Sequence, residues 1–224
     1  MIDAYPQPFW RNRVLNWSKF FEKNNREDVL KDLINHAKTT MLHNTTNVDF
    51  GCASANFAYC VGIRNYIGID ICKNFLETAK TRIDTTLNED FWNVTFDNNS
   101  VDNVVSTTVI DDYKDNQKKR FFKKIYDMLK PGGYFYFSAY SPDDGRAGNA
   151  RIDYLQKHQP EGFEIELRGL SELYVENEFY YEQLFRQTKF KIEFFKKDRR
   201  KGKLASIYKP VEVHRVTLLY ILKK

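Results

Sequence analysis

The stretch Thr46-Asn47-Val48-Asp49-Phe50-Gly51-Cys52-Ala53-Ser54-Ala55-Asn56-Phe57 decides the fold. Val48 and Phe50 alternate with polar neighbours, as at the end of a buried strand. Five small residues follow at once, and helix-compatible residues resume with Phe57-Ala58-Tyr59-Cys60. The pattern predicts a strand, a tight turn and a helix. Small side chains let a ligand approach the backbone, and a helix N-terminus offers unpaired N–H groups. A second strand, Tyr66-Ile67-Gly68-Ile69-Asp70, ends on an acid. An acid about twenty positions after such a turn is placed to accept from a ribose diol. The expectation is a nucleoside-containing cofactor over the ends of parallel strands.

The same unit repeats downstream. Asn103–Val109 is β-branched and reads as a central strand. Lys118–Leu129 has an apolar face, and Lys130-Pro131-Gly132-Gly133 reads as its stop. Tyr134–Ala139 alternates as another strand. Helices are expected near residues 27–42, 54–62, 71–82 and 178–188, with a loop at 85–88 and a short strand or cleft lining at Phe91–Val94. Phe190–Phe195 and His214–Leu222 read as strands around a basic loop, Lys196–Lys203. The whole predicts an α/β fold with a doubly wound, mostly parallel sheet, an antiparallel C-terminal edge strand and helices on both faces. One domain is expected over 1–224, with an N-terminal helical flank at 1–45 and a lid or insertion at 140–177. In the flank, Trp10, Val14, Trp17 and Phe21 recur at helical spacing, interleaved with Arg11, Arg13 and Lys19. Two readings stay open there: an amphipathic helix closing an edge, and a basic-aromatic flap over a phosphate-bearing ligand.

With 224 residues, 42% hydrophobic and 29% charged, the chain is neither disordered nor too short for a full core. A net charge of +5 permits a polyanionic partner without requiring one. The three cysteines, Cys52, Cys60 and Cys72, lie in the first βαβ unit without metal-ligand spacing, so neither a metal nor a disulfide framework is expected. No run of eighteen apolar residues predicts a membrane span. Met1–Pro6 lacks a secretory apolar core, which with the reduced cysteines favours a cytoplasmic location, the nucleus remaining open.

The ordered motifs resemble those of class I S-adenosylmethionine-dependent methyltransferases. Asp49–Ala55 resembles their first motif, Asp70 the acidic end of their second strand, Phe96–Ser106 their fourth motif, and Leu129-Lys130-Pro131-Gly132-Gly133 their later turn. The resemblance covers residues 46–139. It departs at Ala53 and Ala55, where glycine is usual. It implies that S-adenosylmethionine is the cofactor and S-adenosylhomocysteine the product, with no metal. It places Asp49 near the methionine end, Asp70 on the ribose, Asp90 by the adenine amine and Phe91 beside the ring, with Gly51, Ala53 and Thr108 also in the cofactor set.

Within that class, the flanks resemble messenger RNA cap guanine N-7 methyltransferases. Asn16-Trp17-Ser18-Lys19 resembles a segment whose lysine reaches the cofactor carboxylate. Asp112-Tyr113 stands where His-Tyr is usual, and Leu170–Val175 resembles a segment bordering the cap guanine. The resemblance implies a cap site including Glu172, Tyr174, Asp112 and Tyr113, with Arg11, Arg13 and Arg146 toward phosphates. Capped RNA is then the partner, within a homo-oligomer, a larger polyprotein or a capping complex, and a viral origin with residence in host cytoplasm fits the compact length. Guanine N-7 carries its own lone pair, so no general base is expected and no catalytic side chain is assigned. Three alternatives remain: a small-molecule methyltransferase, a ribose 2′-O methyltransferase, and a non-catalytic RNA-binding subunit.

Overall fold

The computed structural model describes residues 27–143, 174–204 and 211–224. The expected N-terminal amphipathic helix, with Arg11, Arg13 and Lys19, lies outside the described residues. So do Arg146, Arg151, Lys157, His158 and Glu172, which fall in the expected lid.

The elements run α1 (Glu27–Thr40), β1 (Asn47–Phe50), α2 (Asn56–Val61), β2 (Ile67–Ile69), α3 (Lys73–Ala79) and β3 (Thr85–Leu87). Then come β4 (Val101–Thr107), a short 3-10 turn at Ile110–Asp112, α4 (Asp115–Met128) and β5 (Leu129–Tyr140). The chain closes with α5 (Glu178–Thr188), β6 (Lys191–Leu204) and β7 (Val211–Lys223). One seven-stranded sheet has the order β3-β2-β1-β4-β5-β7-β6. β1 pairs in parallel with β2 and β4, β2 in parallel with β3, and β6 antiparallel with β7. This is the expected mostly parallel sheet with an antiparallel C-terminal edge.

The chain forms two compact units. The first holds the described residues up to Thr107 together with Asp127–Tyr136, and the second holds Thr108–Tyr126 and the described residues from Phe137 onward. In the first, all four β1 residues are buried. Of its two polar members, Asn47 is satisfied there: Nδ2 donates to Asn65 O at 3.0 Å, and Oδ1 accepts from Asn103 Nδ2 at 2.9 Å. Leu33, Ile34 and Ala37 of α1 are buried, the helical stripe read from the sequence. In the second, Phe122, Phe137, Tyr181, Phe185 and Tyr220 form an aromatic core, with Phe137 stacked on Tyr220 at 5.7 Å between ring centres.

Three local expectations need correction. Residues 85–87 are a strand, because Thr85, Thr86 and Leu87 pair with Ile67, Gly68 and Ile69. Lys130–Gly133 does not precede β5 but belongs to it: Lys130 Nζ contacts both Asp102 oxygens at 2.9 and 2.8 Å, and Gly133 lies where a Cβ would meet Asp102 O at 2.7 Å. The basic run Lys196–Lys203 is strand, paired residue by residue with β7. Phe91–Val94 forms no strand.

Gly68 in β2 fixes how the turn after β1 sits. A Cβ there would stand 2.8 Å from Cys52 Sγ and 2.6 Å from Ile83 Cδ1. The Ile83 tip can swing, but Cys52 is held in the turn. Gly68→Ala is expected to destabilise the fold by about 1–3 kcal/mol through overpacking. Urea unfolding with an unchanged midpoint would contradict this.

Candidate active site

The turn after β1 is built from strained backbone. Gly51, Ala53 and Ala55 all have positive φ, at 72°, 47° and 54°. Glycine occupies that region freely, whereas an alanine pays for its Cβ, about 1–2 kcal/mol each. Neighbouring bonds hold the shape. Gly51 N–H and Cys52 N–H both donate to Ile69 O, at 2.8 and 3.1 Å. Ala53 N–H donates to Asp70 Oδ2 at 2.9 Å. Arg82 Nη1 donates to Ser54 O at 3.0 Å and also reaches Asn56 Oδ1 at the start of α2. Arg82 carried no signal in the sequence, since its role depends on α3 returning it to this turn.

Asp70 ends β2 as expected and is half-buried. Its Oδ1 accepts from Cys72 N–H at 2.8 Å, so the carboxylate braces both the first turn and the start of α3. Each oxygen keeps acceptor capacity beyond these single bonds, which suits a vicinal diol. Burial pushes its carboxyl up to about 6, against the downward pull of the Cys72 and Ala53 N–H groups. Asp49 lies deeper, 3% exposed. Burial pushes it up to about 8, partly opposed by the Tyr66 hydroxyl and reinforced by the charge of Asp70. Tyr66 Oη donates to Asp49 Oδ2 at a long 3.4 Å, and Asp49 Oδ1 has no hydrogen-bond partner among the described residues. Tyr66 was not singled out from the sequence, where it reads only as a strand aromatic. Burial and both acids push the Cys52 thiol well up, so it stays protonated and is no nucleophile.

Asp90 Oδ1 accepts from Trp92 N–H at 2.9 Å, an Asx turn. Phe91 is 5% exposed and packs edge-on against Phe50, ring centres 4.6 Å apart. The first unit therefore gathers Asp49, Gly51, Ala53 and Asp70 around one turn, with Asp90 and Phe91 on the loop beyond β3, Phe91 packed on β1.

The remaining described candidates belong to the second unit. Thr108 has φ 57°, unusual for a β-branched residue, and its N–H donates to Ser138 O at 2.9 Å. Asp112 and Tyr113 are half-buried, and the Tyr113 ring packs 5.4 Å from Phe121. Asp111, 1% exposed, organises this region. Its Oδ2 accepts from Tyr140 N–H at 3.0 Å, and its main-chain O accepts from Tyr174 N–H at 2.6 Å. Lys118, fully buried, donates to Tyr174 O, lies 3.4 Å from Glu176 Oε1 and sits 5.5 Å from the Tyr180 ring centre. Burial pulls the Lys118 ammonium down, while Glu176 and Asp111 push it up. Lys118 belongs to no motif, and its role was not readable in the sequence. Asp111 stands in Thr108–Tyr113, which resembles the family's segment after the fourth strand, but its backbone partners were not readable there.

Residues 48–137 match the family described as the methyltransferase domain. No curated protein matches the sequence. Solved structures share the fold at low identity. A Thermotoga maritima S-adenosylmethionine-dependent methyltransferase, named a possible histamine N-methyltransferase, is 18% identical, covering 97% of this chain and 99% of its own, with a TM-score of 0.59. S-adenosylmethionine-dependent methyltransferases from Methanosarcina mazei and Mesorhizobium loti are 18% and 16% identical. They cover 85% and 84% of this chain and 96% of each of theirs, with TM-scores of 0.57 and 0.55. Residues 48–137 thus carry the match to the methyltransferase domain, and the sheet shares its fold with S-adenosylmethionine-dependent methyltransferases. The domain match and the shared fold point to methyl transfer from S-adenosylmethionine, with S-adenosylhomocysteine as the product. The buried, unpartnered Asp49 oxygen and the braced Asp70 carboxylate are a donor set that fits a cationic nucleoside. Its sulfonium supplies the electrophilic methyl group.

The raised acids make stability pH-dependent. A carboxyl whose folded-state value is raised stabilises the fold below its ordinary value of 3.8 and loses that contribution as pH rises. Asp70 completes this loss near 6 and Asp49 near 8. In the cofactor-free protein, the decline between those two values therefore belongs to Asp49. Asp49→Asn should flatten the fall in melting temperature across that window. A variant with the wild-type slope would show that Asp49 is ionised throughout.

Proposed function

We propose that the methyl group goes to a ring nitrogen of a planar heterocycle, and that the acceptor supplies its own lone pair. The observation that carries this is the cluster around Asp111. The Asp111 carboxylate accepts from Tyr140 N–H and its main-chain oxygen from Tyr174 N–H, with Tyr113 two residues along the chain. All three tyrosines are half-buried. In open α/β sheets, ligands bind beyond the carboxyl ends of the strands, and Asp111 and Tyr140 follow or end β4 and β5. Flat aromatic walls favour a flat, electron-poor ring. In this reading the Asp111 carboxylate acts through the Tyr140 N–H and serves as a positioning residue.

Two acceptor classes meet this description. The cap guanine, methylated at N-7, is favoured by the resemblance of the segments Asn16–Lys19 and Leu170–Val175. A small heteroaromatic amine is favoured by the fold likeness to the Thermotoga maritima protein, whose name carries histamine N-methylation. This second class has the broader support, because the fold likeness spans nearly the whole chain.

The test offers labelled cofactor with guanine-capped RNA, the same RNA already methylated at N-7, and a panel of imidazole and other heteroaromatic amines. Mass spectrometry locates the product methyl group. The expected product is methylated on a ring nitrogen. Methylation of oxygen, or activity only on the N-7-methylated cap, would overturn the reading. Asp111→Ala should lower kcat/KM on the true acceptor by on the order of 100-fold, the cost of misplacing Tyr140. Cofactor affinity should not change, and equal losses in both would assign Asp111 to the fold instead.

A further inference from the structure

The basic run Lys196–Lys203 holds six basic residues and one acid, an excess equal to the whole formal charge of +5. The structure turns this run into one strand of a two-stranded ribbon with β7. Ser141 N–H donates to Val216 O at 3.0 Å, which marks where β5 stops beside β7. Beyond Val216, β6 and β7 continue as a pair from Arg200↔Arg215 to Leu204↔Val211, with no further strand beside them among the described residues. Five residues of each strand run past the end of β5, roughly 17 Å of ribbon.

One face of β6 is ordered for an extended anion. From Phe194 onward the register is unbroken, so Phe195, Lys197, Arg199 and Lys201 share a face. Phe195 is 39% exposed and stacks on Tyr220 at 4.7 Å. The three cations follow at about 7 Å intervals, on the scale of the repeat of an extended nucleic-acid backbone. A carboxylate already occupies part of this row. Asp143, just after β5, lies 2.8 Å from Arg199 Nη2 and 3.0 Å from Lys197 Nζ. Lys197 also contacts Glu178 Oε1 at 3.0 Å. Those two cations hold Asp143 well below the usual carboxylate range, so it stays ionised and stands where a phosphate oxygen would bind.

We propose that this face of the β6–β7 ribbon binds single-stranded RNA, with Lys197, Arg199 and Lys201 on successive phosphates and Phe195 as a stacking platform. The phosphate displaces Asp143 from Arg199. This deepens the cap-guanine reading above by giving the RNA chain a path, yet it needs no cap. A charged edge strand that only prevents self-association has no reason to respond to Asp143.

The test measures binding of the full chain to a fluorescent single-stranded RNA, capped and uncapped, across a salt series. Wild type should bind both, with affinity falling as salt rises by about 0.7 in log–log slope per phosphate contact. Arg199→Glu combined with Lys201→Glu should weaken binding roughly ten-fold or more and lower the slope by about 1.4. Asp143→Asn should do the opposite and strengthen binding severalfold. Cofactor affinity in each variant reports intact folding. Wild type that binds neither RNA, or variants that bind as wild type does, would overturn the proposal. So would binding to phosphatidylserine vesicles that depends on the same residues in the absence of RNA binding. RNA binding through the ribbon without methylation of capped RNA would sink the cap reading alone, and cap methylation by ribbon variants at full RNA affinity would sink the ribbon alone.

Discussion

The hydrogen bond from Ala53 N–H to Asp70 Oδ2 is the constraint on which the cofactor end of the structure depends. It joins the strained turn after β1 to the acid ending β2, and through Cys72 N–H the same carboxylate sets the start of α3. Without it, two alanines at positive φ would relax toward ordinary backbone, since each stores strain a glycine would not. The packing beneath is equally tight, because Gly68 leaves just the room that Cys52 fills. Departure from the usual glycines is therefore tolerated by over-determination: Ile69 O, Asp70 and Arg82 each fix one part of the turn.

The second unit solves a different problem, that of holding a chain segment by its backbone. Tyr174 has its N–H bound by Asp111 O and its carbonyl bound by Lys118 Nζ. A fully buried ammonium is expensive, and a hydrophobic side chain of similar volume is often no less stable. What Lys118 offers instead is direction. It meets a carbonyl, the Glu176 carboxylate and the Tyr180 ring at once, which specifies where this segment leaves the helix pair. Thr108, the β-branched residue at positive φ, lies three residues before Asp111 and is tied to Ser138. Strain and buried charge thus collect in the same connection after β4.

What was legible in the sequence was the part dictated by local pattern. Val48–Phe50, the small-residue turn, Asp70 and the apolar stripe of α1 follow from periodicity and residue size. β3 was not legible because three residues, Thr85 to Leu87, carry no pattern of their own and become strand only by pairing with β2. Lys130–Gly133 reads as a break, and glycine does supply positive φ at Gly132, yet the Asp102 contacts keep the backbone extended. Lys196–Lys203 reads as a solvated loop because charge dominates its composition. Its strand state comes from β7, whose paired residues lie 9 to 23 positions further along the chain. For the candidate site, types and positions were readable, but partners were not. Asp90 is bound into its own turn, and Phe91 faces Phe50.

The two acids of the first unit explain why a cationic cofactor suits this turn. Ionising Asp49 in the absence of a ligand means placing charge where only a long contact from Tyr66 compensates it, close to a second carboxyl. Burial therefore makes Asp49 hold its proton to about 8. A ligand with positive charge and hydrogen-bond donors reverses each of the unfavourable contributions: it pairs the orphaned oxygen, and it offsets the repulsion from Asp70. The same burial that penalises the carboxylate alone strengthens its attraction to a cation, because the surrounding dielectric is low. If this turn holds the cofactor, the depth of Asp49 and the shape that Asp70 imposes on Ala53 are what would favour a charged nucleoside over a neutral one.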